Sequence, residues 1–126
     1  MINDKLVSLV GIPWGYKAPP EEANCLSLML YAQEVLFGRK INIEEDQSCS
    51  SDNLVERSND ISQYMNKYGY KVETPQAGDV GFMPICGYRH IMTFLSSNEV
   101  LHILINKTSR INRIKSLRGI EIWRVL

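Results

Sequence analysis

Residues 20–38, PEEANCLSLMLYAQEVLFG, place a cysteine at the start of a segment with helical periodicity. The spacing predicts a mostly buried helix from Cys25 to Phe37. Asn24 can cap it by accepting hydrogen bonds from the first turn, and Gly38 suits the left-handed position that ends a helix. Free N–H groups at a helix start favour negative charge, so Cys25 is a candidate nucleophile. The apolar residues of this helix are Leu26, Met29, Leu30, Ala32 and Leu36.

Two further helices are predicted in the first half of the chain. A short one covers residues 4–10, with Asn3 or Asp4 as its cap. Another begins at a capping box formed by Asn53 and Glu56 and ends at Gly69. The apolar stripe of this second helix is Leu54, Ile61, Met65 and Tyr68.

The second half of the chain contains five segments rich in β-branched and aromatic residues. They are YKVET, DVGFM, RHIMTFL, EVLHILI and GIEIWRV. Helices first and strands second is the order typical of an α+β domain, with helices packed on an antiparallel sheet. A chain of 126 residues suits one such domain, so residues 1–126 are predicted to form a single unit.

The bulk composition narrows the class of protein. Fourteen basic and fourteen acidic side chains cancel, so no nucleic-acid partner is expected. The basic segment KTSRINRIKSLR, residues 107–118, is predicted to be a solvated strand or loop face. No apolar run is long enough for a membrane span. The first fifteen residues lack the features of a signal peptide, so we expect the chain to start in the cytoplasm.

The three cysteines form neither a C-x-x-C pair nor an even set. One reactive thiol, Cys25, with two inert companions, Cys49 and Cys86, is therefore simpler than a disulfide scaffold. A zinc site of Cys86, His90 and His102 is a weaker alternative, even if Cys25 or Cys49 completed it. No pair has the short spacing that preforms a zinc site, so neither a metal nor a cofactor is predicted.

The only two histidines, His90 and His102, flank the turn-like stretch LSSNE. A three-residue loop, Ser96 to Asn98, would place Leu95 opposite Glu99 and His102 opposite Met92. The two imidazoles would then share one face of the sheet, whereas a two-residue loop would separate them. The prediction of a histidine pair therefore depends on the length of this turn.

Cys25, His90 and His102 together suit nucleophilic catalysis on a carbonyl group. Cys25 would attack, His90 would act as base and His102 would orient the base, while the N–H of Cys25 would stabilise the oxyanion. We expect a lowered thiol pKa and alkylation of Cys25 ahead of Cys49 and Cys86. The alternative is structural: a buried cysteine and packed strand histidines.

Four blocks of the chain resemble the NlpC-type family of papain-like cysteine peptidases, which cleave the peptide stems of bacterial cell walls. The blocks are GIPW (11–14), NCLSL (24–28), AGDVGF (77–82) and RHIM (89–92), and His102 follows His90 by twelve positions. They stand in family order and span residues 11–104. The closing RINRIKSLRGIEIWRVL is similar to the end of phage-borne members, with a basic segment before a strand.

The resemblance implies a papain-like α+β fold in which Cys25, His90 and His102 form the catalytic triad. It also implies that Trp14, Tyr16 and Met92 line the oxyanion and substrate groove. The chain departs from the family pattern at four positions. In this chain Asn24 replaces the family's aspartate and Ser27 replaces a glycine. Met92 replaces the glycine after the histidine, and Trp14 replaces a tyrosine. These changes bear on substrate choice more than on reaction type.

The implied function is hydrolysis of amide bonds in peptidoglycan stem peptides, without a cofactor. The phage-like ending predicts a virion tail as the location and tail proteins as partners. An antibacterial effector injected into another cell is an alternative. Two other functions remain open on the same fold: a catalytically silent structural tail component, and a transferase that passes the acyl group to an amine or hydroxyl.

Overall fold

A computed structural model describes residues 4–41, 61, 65–85 and 88–126 of the chain. Among these residues the helices precede the strands, which confirms the predicted α+β order. The helices are α1 (Asp4–Val7) and α2 (Cys25–Phe37). The strands are β1 (Gly69–Val72), β2 (Val80–Ile85), β3 (Tyr88–Phe94), β4 (Glu99–His102), β5 (Arg110–Arg113) and β6 (Glu121–Val125).

The six strands form one antiparallel sheet in the order β1-β6-β2-β3-β4-β5. Strands β2 to β5 are sequential neighbours, as short connections favour. The last strand, β6, inserts between β1 and β2 and so ties the end of the chain to both. This order places β3 and β4, which carry the two histidines, beside the edge strand β5.

Helix α2 has the caps that its sequence predicts. Asn24 Oδ1 accepts a hydrogen bond from the Ser27 N–H at 2.9 Å, and Ser27 Oγ accepts one from the Asn24 N–H at 2.9 Å. Gly38 ends the helix with φ +67°. Each N-terminal cap of this kind stabilises a helix by about 1 kcal/mol, so the position of Cys25 at the helix start is well fixed.

The apolar side chains form two cores, one on each side of the sheet. In the main core, Met29 of α2 packs with residues that include Phe82 and Ile91. The second core contains Met92, Phe94, Val100 and Ile122. Successive residues of a strand point to opposite faces, which explains why Ile91 and Met92 belong to different cores.

A buried ion pair fixes the chain just before β2. Asp79 is 1% exposed and accepts two hydrogen bonds from Arg124, at 3.0 Å from Nε and 2.9 Å from Nη2. Its Oδ2 also accepts from the Gln76 N–H at 2.9 Å. This pair joins β6 to the start of β2 and uses both carboxylate oxygens.

The structure differs from the prediction at helix α1 and agrees with it at the basic segment 107–118. Helix α1 ends at Val7 instead of residue 10, because a turn leads to Gly11 with φ +87°. Strand β5 lies in the basic segment that was predicted only as a solvated strand or loop; the structure makes it a solvated strand.

Part of the predicted second helix cannot be compared. Asn53, Glu56 and Leu54 lie outside the described residues, as does Asn3. Residues 65–68 are helical, Met65 is buried, and Gly69 ends this turn by opening β1. Across the described ranges, no helix is both long and apolar enough to cross a membrane.

Candidate active site

The two histidines meet on one face of the sheet. Thr93 pairs with Leu101 and Phe94 with Val100, while the Leu95 N–H donates to the Glu99 carbonyl at 2.8 Å. This is the register of the predicted three-residue turn, and it is observed as far as Thr93 and Leu101. The predicted histidine pair is therefore confirmed as a geometry. The two ring centroids lie 5.0 Å apart.

A chain of hydrogen bonds runs from β5 through β4 to β3. His90 Nε2 lies 2.7 Å from His102 Nδ1, and His102 Nε2 lies 2.6 Å from Asn112 Oδ1. Asn112 is opposite Val100 in the sheet register, while Arg110 is opposite His102. Three neighbouring strands each contribute one member of this relay, which we call the histidine relay: His90, His102 and Asn112.

The oxygen at one end of the relay decides which ring nitrogens carry protons. An amide oxygen can only accept, so His102 Nε2 must be protonated to bond to Asn112 Oδ1. The other nitrogen of a neutral His102 then accepts, which makes His90 Nε2 the donor of the next bond. A neutral His90 is thereby left with a lone pair on Nδ1.

His90 Nδ1 is buried and, within the described part of the chain, has no hydrogen-bond partner. The His90 side chain is fully buried, and the ring of Tyr88 lies edge-on at 6.3 Å between centroids. Burial, and then the neighbouring His102, lower the pKa of His90 to about 4. His90 is therefore a neutral imidazole at neutral pH, with one buried nitrogen that none of the described residues contacts by a hydrogen bond. Thr93 Oγ1 is also buried without a partner, and nothing in the structure explains it.

The pKa of His102 is also lowered from its ordinary value. Burial is the main cause; the hydrogen bond to Asn112 acts in the opposite direction, and the charge of Arg110 lowers the pKa further. Both imidazoles are therefore neutral in the physiological range, as the tautomer argument requires.

Cys25 begins α2 as predicted, but its thiol is not ionised. Only 2% of the residue is exposed, and burial raises the pKa of the thiol to about 11. Backbone hydrogen bonds from Ile91, Leu26 and Cys25 itself favour the thiolate but do not outweigh burial. The expected low thiol pKa is therefore wrong for this state, because desolvation of the charge exceeds the effect of the helix start.

The same backbone contact shows where the sulfur lies. Ile91 follows His90 directly in β3, so the Cys25 sulfur lies against the backbone next to the histidine. No hydrogen bond joins the sulfur to His90 Nδ1, since that nitrogen has no partner among the described residues. The structure thus brings Cys25 close to the relay without connecting them.

The entry segment is held beside the helix start. The Ala23 N–H donates to the Pro13 carbonyl at 2.9 Å, and the Gly15 N–H donates to the Ala23 carbonyl at 3.0 Å. Trp14 consequently lies beside Ala23, which precedes Cys25 by two residues in the sequence. The Trp14 side chain is half-buried against the main core. Tyr16 is 57% exposed, and its ring meets that of Trp14 edge-on at 6.5 Å. Both aromatic residues are therefore close to the start of α2.

Met92 is a core residue, which corrects the expectation that it lines a groove. It is 2% exposed and packs in the second core. Gly81 is its partner in β2, where a Cβ would lie 2.9 Å from Met92 Cγ. The absence of a side chain at Gly81 makes room for Met92, so the bulk of Met92 is directed into the protein and presents almost no surface to a substrate.

The remaining candidates are less informative. Cys49 and Cys86 lie outside the described residues, so the imagined zinc set cannot be compared as a whole. In the described ranges, no three His, Cys, Asp or Glu side chains are grouped as metal ligands would be.

A groove of about 770 Å³ lies elsewhere on the sheet, between β1, β6 and β2. Its lining includes neither Cys25 nor the histidine relay. Three of the charged groups on its wall form ion pairs: Glu121 bonds to Arg89 at 3.1 Å and to Lys71 at 3.2 Å. The larger cavity is thus separate from the candidate chemistry.

Comparison with known proteins shows the fold. The chain is similar to the solved structure of the NlpC/p60 domain of the peptidoglycan hydrolase SagA, with a TM-score of 0.59 and 14% sequence identity. The similarity covers 97% of this chain and 93% of that domain. No protein-family profile matches the sequence, and the search of curated proteins finds no match. The chain therefore has the NlpC/p60 type of papain-like α+β fold.

Proposed function

We propose that this protein is a cysteine hydrolase that cleaves amide bonds in the peptide stems of peptidoglycan. The observation that carries the proposal is the buried Nδ1 of His90, which has no hydrogen-bond partner among the described residues. It lies at the end of a hydrogen-bonded relay and one residue from the backbone that Cys25 touches. A buried nitrogen without a partner destabilises a protein by about 1–3 kcal/mol. Its place at the end of the relay, next to the backbone that the thiol touches, supports a catalytic role for His90.

In the proposed reaction, Cys25 attacks the carbonyl carbon of the scissile amide. His90 Nδ1 takes the thiol proton as the carbon–sulfur bond forms, and the oxyanion accepts from the Cys25 N–H. His90 then gives the proton to the leaving amine, and the carbon–nitrogen bond breaks. Water, deprotonated by the same nitrogen, hydrolyses the thioester and restores the thiol.

The resting state places a condition on this mechanism. With the thiol pKa near 11 and that of His90 near 4, the neutral pair is favoured over a thiolate–imidazolium pair. Proton transfer must then accompany attack, which is general-base catalysis. The sulfur must also turn toward Nδ1, and the substrate must reach a residue that is 2% exposed.

The choice of substrate rests on two similarities. The sequence blocks around Cys25 and His90 resemble those of cell-wall peptidases, and the fold is that of a domain from a peptidoglycan hydrolase. We further propose that a phage tail delivers the protein to the wall, on the basis of the basic segment that precedes the last strand. Delivery as an injected effector is the alternative.

A catalytically silent tail component is the second candidate function. The burial of Cys25, its raised pKa and the missing bond to His90 favour it, because an active nucleophile needs access and activation. A transferase would share every step up to the thioester and differ only in the acceptor.

The test is digestion of purified peptidoglycan by the wild-type protein and by Cys25→Ala. Mass spectrometry of the soluble products identifies each new amine and carboxyl end. We expect stem-peptide fragments from the wild type alone, with Cys25→Ala folded by circular dichroism. Equal release by both proteins, or none by either, would contradict catalysis. Products that carry an added amine in place of water would indicate the transferase.

A further inference from the structure

We propose that Asn112 is a positioning residue that sets the protonation pattern of the histidine relay and so leaves His90 Nδ1 free to accept a proton. The inference deepens the proposed function and rests on it for its catalytic consequence. Its structural core, the control of ring tautomers by one amide oxygen, can be measured without any activity.

The first argument is the contact itself. Asn112 Oδ1 lies 2.6 Å from His102 Nε2, although Asn112 is an exposed residue on the edge strand β5. An exposed hydrogen bond of this kind contributes little to stability, about 1 kcal/mol at most. The bond therefore matters more for the state of His102 than for the stability of the sheet.

The second argument is what would happen with a donor at this position. If residue 112 only donated, His102 Nε2 would have to accept, and His102 Nδ1 would carry the proton. That proton would be donated to His90 Nε2, and a neutral His90 would then be protonated at Nδ1. A base protonated at the nitrogen nearest the nucleophile cannot take the thiol proton. The group that residue 112 presents to His102, which is the amide oxygen in this structure, thus decides which end of the relay is basic.

The third argument is the setting of Asn112 in β5. Its neighbours on the strand include Arg110 and Arg113, both exposed and both pure donors. Arg110 is opposite His102 and opposes its protonation. Asn112 is therefore an uncharged acceptor on a strand that also carries two arginines, and its oxygen is the atom that bonds to His102. Within the described residues, the titratable groups around His102 are Arg110 on β5 and His90 on β3.

The experiment compares three substitutions in the full-length protein labelled with ¹⁵N. Asn112→Asp keeps an acceptor, Asn112→Leu removes it, and Asn112→Lys supplies only donors. The ring nitrogens of His90 and His102 are observed by NMR, and kcat and KM are measured on peptidoglycan fragments. The matched control is Arg113→Leu, on the same edge strand, because Arg113 is opposite Glu99 and its side chain forms no hydrogen bond with the relay.

We expect Asn112→Asp to retain the wild-type tautomers and to raise the pKa of His102. Asn112→Leu should give mixed tautomers with kcat reduced about 10- to 100-fold at unchanged KM, the effect typical of an outer positioning contact. Asn112→Lys should place the proton on His90 Nδ1 and give the lowest kcat. Arg113→Leu should resemble the wild type in every measurement.

Unchanged His90 ring nitrogens in both Asn112→Leu and Asn112→Lys would overturn the inference. A tautomer change in an inactive protein would support the inference while the proposed function fails. A loss of kcat without any tautomer change would overturn the inference and leave the proposed function in place.

Discussion

Asp79 and His90 are both buried polar side chains of the same sheet, but they use their hydrogen-bonding capacity differently. Both oxygens of Asp79 are bonded, to Arg124 and to the Gln76 N–H. His90 bonds through Nε2 only, and its other nitrogen has no partner in the described part of the chain. A satisfied buried group indicates a structural role, whereas a partnerless one retains reactivity at some cost in stability.

The difference also separates two parts of the sequence motif. Gly78 and Asp79 belong to the block AGDVGF, which resembles the family pattern as the histidine block does. In the structure Asp79 joins β6 to the start of β2 through its ion pair with Arg124, while His90 is the first member of the histidine relay. Resemblance to the family does not separate the roles of these two residues, whereas their hydrogen-bond partners differ clearly.

The largest expected effect is on activity, at the partnerless nitrogen. His90→Gln keeps a side-chain N–H that can donate to His102 but removes the base. We expect peptidoglycan cleavage to fall about 10²- to 10⁴-fold, the contribution of a positioned general base. The free energy of unfolding should change by less than about 1 kcal/mol, because the cost of burying a partnerless nitrogen is also removed. A large loss of stability in urea denaturation would place His90 in the structural class with Asp79.

The reactivity of the Cys25 thiol is the next test. With a pKa near 11, Cys25 should react with iodoacetamide at pH 7.5 roughly 100-fold more slowly than an ordinary exposed thiol. The rate should rise as the pH approaches that value. A variant in which Cys49 and Cys86 are both serine makes Cys25 the only thiol for mass-spectrometric detection. Rapid labelling at neutral pH would instead indicate that Cys25 is a thiolate, as predicted from the sequence.

Substitution of Asp79, whose hydrogen bonds are satisfied, should change the stability of the protein but not its activity. Asp79→Asn weakens the charged bonds to Arg124 and should reduce the free energy of unfolding by about 2–4 kcal/mol. Glu73→Gln is a matched control, since Glu73 is an exposed carboxylate that follows β1 and should have little effect. Urea denaturation measures both. Per folded molecule, cleavage by Asp79→Asn should remain close to wild type; a selective loss of cleavage would assign Asp79 a part in the chemistry.

The smallest effect concerns the charge beside the relay. Arg110→Gln removes the cation opposite His102 and should raise the pKa of that imidazole, because the positive charge disfavours its protonation. We expect this effect to be small, since Arg110 is exposed and its charge is screened by salt. Arg113→Gln, opposite Glu99, should leave the pKa unchanged. An NMR titration in which the two variants behave alike would remove Arg110 from the electrostatics of the relay.

Local signals in the sequence predicted much of this arrangement. The caps of α2 follow from Asn24 and Gly38, and the histidine pair follows from a three-residue turn that fixes the register of β3 and β4. Helical periodicity placed Cys25 at the start of α2, but periodicity carries no information on how deeply the first turn is buried. The prediction of an ionised thiol therefore included the helix start, which lowers the thiol pKa, but not burial, which raises it.

The environments of Asn112 and Met92 could not be predicted from the sequence. The connection between β4 and β5 covers residues 103–109, and a loop of that length does not specify the register that brings Asn112 to His102. Met92 was compared only with the family pattern, whereas its partner Gly81 explains its burial. Both residues depend on pairing between strands, which becomes visible only in the folded sheet.

We expect the Cys25 sulfur to meet His90 Nδ1 during catalysis. A crystal structure of the protein treated with a stem-peptide aldehyde tests this prediction directly. The aldehyde forms a thiohemiacetal with a nucleophilic cysteine and mimics the tetrahedral intermediate. We predict an adduct on Cys25 with its sulfur within hydrogen-bonding distance of His90 Nδ1 and its oxygen about 2.7–3.1 Å from the Cys25 N–H. Failure to form the adduct, or an adduct in which Nδ1 still has no partner, would contradict the catalytic role of the relay.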